Sequence, residues 1–261
     1  MRPGATPHRR VVACMGTVFS FDVRAPGVDS AALDEAIGWL HWVDATFSTY
    51  SPQSEISRLA RRECAVTDCA PEVAQVLAEC ARLHAATDGY FTDTPFGTLD
   101  PSGYVKGWAI ERVSDMLRAA GSVNHCVNGG GDVQCVGVAA AGRPWHIGIA
   151  DPLRRGHYAA VVAGTNAADL AVATSGSTER GAHIAGPDGR PAAGAFASIT
   201  VVGPSLAFAD AFATAAYAMG RRAGDWLEAL DGYDGYAVLP NGRTWATGRL
   251  AAEGSGAPRA A

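Results

Sequence analysis

The chain has 261 residues, 48% hydrophobic and 18% charged, with a net charge of −5. That mix supplies a core for one large domain or two small ones. The lack of a concentrated Lys/Arg run argues against a nucleic-acid surface, and no apolar stretch is long enough to span a bilayer.

In chain order, Arg9 and Arg10 precede only three apolar residues before Cys14. A signal peptide needs an apolar stretch of roughly 7–15 residues, so a cytoplasmic protein without a membrane anchor is expected, with a frayed tail over 1–11. Residues 11–23, rich in Val and Phe, read as a strand. Helices are expected over 30–46 and 71–87, the second opened by Pro71, with a short helical turn from Ser54 between them. Residues 89–101 are irregular. A helix over 105–120 stops at Gly121. Strands follow at 123–127 and 133–138, joined by Asn128-Gly-Gly-Gly-Asp132, then at 145–149, 159–163, 170–174 and 198–202. Helices over 204–219 and 225–230 and a last strand at 236–239 complete the pattern, with a polar tail from about 251. Short strands in series with helices at both ends fit a single α+β unit over 12–250 better than a regular parallel sheet. The six cysteines, at 14, 64, 69, 80, 126 and 135, show no zinc-type spacing and read as scattered reduced thiols.

Four segments carry candidate chemistry. Asp210 and Thr214 stand four apart on one helix face. A carboxylate and a hydroxyl on an apolar helix suit a hard cation such as Mg2+. The plainer alternative is an exposed Asp favoured by the helix dipole, with Thr214 bonding back to the chain. In 99–107, Asp100, Gly103, Lys106 and Gly107 suit a phosphate at a helix start, or a capped helix with a solvated Lys. The glycine run at 129–131 lacks the dinucleotide-fingerprint spacing and reads as a tight turn between strands, one that could line a cleft. Thr174-Ser-Gly-Ser-Thr178 is followed by His183, a candidate general base or hydrogen-bond donor to a phosphate oxygen that could equally be structural.

In this order, these pieces join Met15-Gly-Thr, Phe47-Ser-Thr-Tyr50, Ser54-Glu55, Gly89-Tyr-Phe91, the Gly-Gly-Asp turn at 130–132 and Ala173-Thr-Ser-Gly176. The set resembles the ApbE family, the FAD:protein FMN transferases, from about residue 12 to 239. The resemblance implies an ApbE-like (T-fold-like) α+β unit, with mixed or antiparallel sheets and flanking helices around an FAD cleft. Met15 and Tyr50 then contact flavin or adenine, Tyr90, Phe91 and Thr92 lie in an FAD-contacting stretch, and Asp100 and Lys106 belong to an FAD-contacting loop. Asp210, Thr214 and the carbonyl of Gly103 match metal ligands, and Asp210 is also catalytic. His183 and Ala185 match the segment that closes over the cofactor, with His183 in a catalytic role. Ala213 stands where some members carry a further acidic ligand. Thr92 stands where many have Asp, and the 183–189 segment is one residue shorter than the common pattern.

The implied reaction is Mg2+-dependent transfer of FMN from FAD to a Thr or Ser hydroxyl of a target flavoprotein, releasing AMP. Two alternatives share the site: an FAD pyrophosphatase giving FMN and AMP, and an FAD-binding module without catalysis.

Overall fold

Residues 11–23, expected as one strand, fold back on themselves. β1 (His8–Cys14) and β2 (Thr17–Val23) form an antiparallel pair with Cys14 opposite Thr17. The turn puts Met15 at φ 51° and Gly16 at φ 68°, the two positive-φ residues that a tight hairpin needs. Methionine rarely adopts that backbone. Here its N–H donates to Asp44 Oδ2 at 3.1 Å. In this computed structural model the described residues are 8–24, 28–165, 169–176, 184–192 and 194–253. β1 therefore takes in 8–11, a stretch expected as tail.

The helices follow their sequence signals closely. α1 (Ser30–Phe47) starts behind Asp29, whose side chain accepts from Ala32 N. α2 (Glu55–Ala60) is capped by Ser54 in the same way, as N-cap side chains do. α3 (Pro71–Ala86) and α4 (Ser102–Ala119) come next. α4 begins three residues earlier than its apolar periodicity indicated, because Asp100 Oδ1 accepts from Ser102 N and so holds the first turn.

The centre of the chain is all strand: β3 (His125–Gly129), β4 (Asp132–Val136), β5 (His146–Ala150), β6 (Tyr158–Ala163), β7 (Leu170–Gly176) and β8 (Ser198–Gly203). α5 (Leu206–Met219), α6 (Ala223–Glu228) and β9 (Asp234–Val238) follow. The expected last strand is not the last element, since β10 (Thr244–Ala246) pairs with it and α7 (Gly248–Glu253) succeeds it. A three-residue strand is too short to show a period.

Eight strands form one sheet in the order β1-β2-β3-β4-β7-β8-β9-β10, every neighbouring pair antiparallel, while β5 and β6 form a separate hairpin. The α+β expectation holds and the sheet is antiparallel throughout. Alternation along the strands divides the apolar side chains between two cores. One includes Phe19, Phe21, Val127, Ile199 and Val201 with side chains of α1, α4 and α5. The other gathers Val133, Cys135, Val172, Val202 and Val238 with Trp145, Ile149 and Val162 of the β5–β6 segment. The main sheet thus has helices on one face and the small hairpin on the other. No helix among the described residues is long and apolar enough to cross a membrane.

Candidate active site at the α4–α5 seam

α4 and α5 meet at a glycine. A Cβ on Gly107 would lie 2.4 Å from the Leu206 carbonyl oxygen and 2.8 Å from Asp210 Cβ, so only glycine permits this approach. Glu111, one turn further along α4, holds the start of α5: its Oε2 accepts from Ser205 Oγ at 2.7 Å and from Ala207 N at 2.8 Å. These contacts place Asp210 inside the seam, only 3% exposed, so the exposed-Asp alternative fails.

Asp210 Oδ2 accepts from Gly107 N at 2.9 Å. In a regular helix that amide points at the carbonyl of Gly103, which therefore has at most a share of it. Lys106 reaches between two carboxylates, with Nζ 2.7 Å from Asp132 Oδ2 and 3.5 Å from Asp210 Oδ1. It is paired rather than solvated. Asp132 is 1% exposed, and its other oxygen accepts from Thr174 N at 2.9 Å. Asp132 follows the turn Gly130-Gly131, whose φ values of 61° and 96° close the β3–β4 hairpin, the tight turn expected there.

Two carboxylates and one ammonium share a buried space, and the electrostatics follow from that. Burial pushes the Asp210 carboxyl well above the usual carboxylate range, Lys106 pulls it back, and Asp132 pushes it up again. A further positive charge would relieve this strain. One turn along α5, Thr214 Oγ1 lies 3.4 Å from Ser175 Oγ of β7 and 3.5 Å from where a Cβ of Gly103 would sit. Asp210 and Thr214 thus stand one turn apart on α5 with Gly103 of α4 packed beside Thr214, and their side-chain oxygens are of the hard kind. Among the described residues no group of three or more His, Cys, Asp and Glu side chains could hold a metal.

The other expected residues stand around this seam. Phe91 is fully buried, with ring atom Cε2 3.4 Å from the Gly103 Cβ position. Tyr90 is half-buried, its hydroxyl accepting from Arg222 Nη1 at 2.9 Å and its ring 5.5 Å from that guanidinium. Thr92 Oγ1 accepts from Thr94 N. The turn beside Met15 meets the β3–β4 turn, where Gly130 N donates to Val18 O and a Cβ on Gly130 would lie 2.8 Å from Thr17 Oγ1. Ala185 is buried and bridges to Pro191 in a small turn, whose Pro187 lies 3.8 Å from the Cβ position of Gly89. Tyr50 stands apart, 96% exposed on the loop after α1. His183 and the last two residues of the expected 174–178 turn lie outside the described residues, while Thr174 to Gly176 continue β7. Asp132 and Ser175 had no role assigned from the sequence; the Gly-Gly-Asp triplet was the available signal for the first.

An antiparallel sheet with helices on one face and a small hairpin on the other is a known architecture. The solved flavin transferase ApbE from Vibrio cholerae matches with a TM-score of 0.77 over 93% of this chain and 97% of that one, at 24% identity. The ApbE family model matches residues 15–97 and 93–237, and the chain belongs to that family. Among curated proteins, it is 29% identical to the FAD:protein FMN transferase of Vibrio cholerae over 80% of this chain and 61% of that protein. It is 28% identical to the enzyme of that name from Haemophilus influenzae, over 68% and 69%.

Proposed function

We propose that the protein transfers FMN from FAD to a Thr or Ser hydroxyl of a target flavoprotein, releasing AMP. The observation that carries this reading is the buried Asp132–Lys106–Asp210 cluster beside Thr214 and Gly103. The names of the curated relatives point the same way. Mg2+ held by Asp210, Thr214 and the Gly103 carbonyl would act as a Lewis acid towards phosphate oxygens.

The chain's own residues do the positioning. Lys106 supplies fixed positive charge next to the pyrophosphate, and Asp132 holds that ammonium in place. Gly103 and Gly107 let the backbone come close. Met15, Tyr50, Tyr90, Phe91, Thr92, Asp100 and Ala185 contribute to the FAD cleft, directly or as its support. His183 assists the acceptor hydroxyl. That oxygen attacks the FMN-side phosphorus, and the bond to the oxygen carried away by AMP breaks. Catalysis of this kind rests on alignment and charge compensation. The acceptor carries a short motif resembling Asp-x-x-Ser/Thr-Gly-Ala-Ser/Thr.

The test is a mass spectrum of an acceptor domain with that motif after incubation with the protein, FAD and Mg2+. Covalent FMN on the Thr or Ser, with one AMP released per FMN attached, supports the reading. AMP without covalent flavin would indicate a pyrophosphatase, and bound FAD with no AMP a binding module.

A further inference from the structure

Cys64 and Cys69 lie in the loop that joins α2 to α3, with their Sγ atoms 3.9 Å apart. The loop backbone is held by short-range bonds: Asp68 Oδ2 accepts from Ala65 N at 2.9 Å, and Cys69 N donates to Val66 O at 3.2 Å. Both flanks are fixed too. Arg61 pairs with Glu63 through two bonds of 2.7 and 2.8 Å, and Ala70 N donates to Glu55 Oε2 at 2.7 Å. Both thiols are half-buried, and residues 65–68 between them are exposed. The sulfurs at 3.9 Å need to close by about 2 Å to reach the roughly 2.05 Å of a disulfide.

The other cysteines lack this combination of proximity and access. Cys80 is fully buried, and Cys14 is buried with its thiol donating to Leu40 O. Cys126 and Cys135 face each other across β3 and β4, but Cys135 is 1% exposed.

We propose that Cys64 and Cys69 form a reversible intraloop disulfide, a modification site separate from the transfer seam, with small disulfides of the oxidised-glutathione class as oxidant. Cys69 Sγ is also engaged with the Ala65 carbonyl oxygen at 3.5 Å, and Cys64 is assigned as the attacking sulfur. The Cys64 thiolate displaces one small thiolate and forms a mixed disulfide. The Cys69 thiolate then attacks Cys64 Sγ, and the second small thiolate leaves. Two electrons pass from the cysteine pair to the small disulfide, and the two thiol protons end on the two small thiols.

The experiment uses the full chain, incubated with oxidised glutathione, alkylated and digested with trypsin. The peptide 63–82 contains Cys64, Cys69 and Cys80. It should carry one alkyl group, at Cys80, with Cys64 and Cys69 bridged, and regain three after treatment with a dithiol. Cys69→Ser should arrest at a glutathione adduct on Cys64. Three alkyl groups in the wild-type peptide, a lasting wild-type adduct, or bridging at Cys126 and Cys135 with Cys64 and Cys69 still alkylated would each overturn the proposal.

Discussion

α4 covers two buried polar clusters that look alike in composition and differ in their electrostatics. Towards its C-terminal half, His125 of β3 is fully buried, with Nε2 2.7 Å from Ser114 Oγ and Nδ1 2.9 Å from Ser122 Oγ. Both ring nitrogens have partners, and burial pushes the imidazole down to about 4, with Arg118 adding to the shift. The ring is neutral near pH 7 and the cluster is complete. Towards the N-terminal half, Lys106 has two carboxylates around it, Asp132 and Asp210, two acidic side chains to one ammonium. A satisfied neutral network pins a helix to a sheet, whereas a buried excess of negative charge is a cost that a bound cation removes. The first cluster is satisfied from within the fold; the second is the one on which the proposed cation site rests.

That contrast can be broken in order of expected effect. Asp210→Asn keeps an oxygen for Gly107 N but removes the charge. Transfer of FMN should fall about 100- to 1,000-fold, the usual size for one lost charge-stabilising contact, measured as initial rate on an acceptor domain. Unchanged Mg2+-dependent transfer would remove Asp210 from the site.

The next effect belongs to His125 and is one of pH. Its folded value of about 4 lies below its ordinary 6.5, so the unfolded chain takes up the proton first. The stabilisation is complete above about pH 6.5 and is lost as pH falls towards 4. At about 1.4 kcal/mol per unit, that gap is worth about 3 kcal/mol as an upper figure. Urea unfolding of wild type and His125→Gln across this window should show the wild type losing stability more steeply than the variant as pH falls.

Gly107→Ala should cost about 2 kcal/mol, the usual range for overpacking. The added methyl meets the Leu206 carbonyl at 2.4 Å, and the loss should show in the urea midpoint together with reduced transfer. Ser114→Ala should cost about 1 kcal/mol for one partner lost to a buried ring and leave the transfer rate unchanged. A large loss of activity in that variant would mean that the two clusters are not independent.

The sequence carried much of this arrangement. α1, α3, α4 and α5 follow apolar periodicities and caps that can be read directly, and the Asn128–Asp132 turn reads as a hairpin because glycine supplies positive φ. The turn at Met15 was hidden because methionine is not a turn residue, and what supports it is a carboxylate 29 positions away. The hydroxyl and carboxylate of Thr214 and Asp210 share a helix face by simple spacing. The pairing of Lys106 with Asp132 has no local signal, since it arises only when the β3–β4 hairpin packs beneath α4. The amide of Thr174 that holds Asp132 arrives from β7, 42 positions along the chain.

The central claim is that the α4–α5 seam takes a divalent cation, and titration of Mn2+ into the protein, followed by loss of the free-ion resonance signal, tests it without reference to turnover. The account predicts binding that Mg2+ displaces, that Asp210→Asn abolishes and that Ser114→Ala retains. Binding of equal strength in wild type and Asp210→Asn would contradict it.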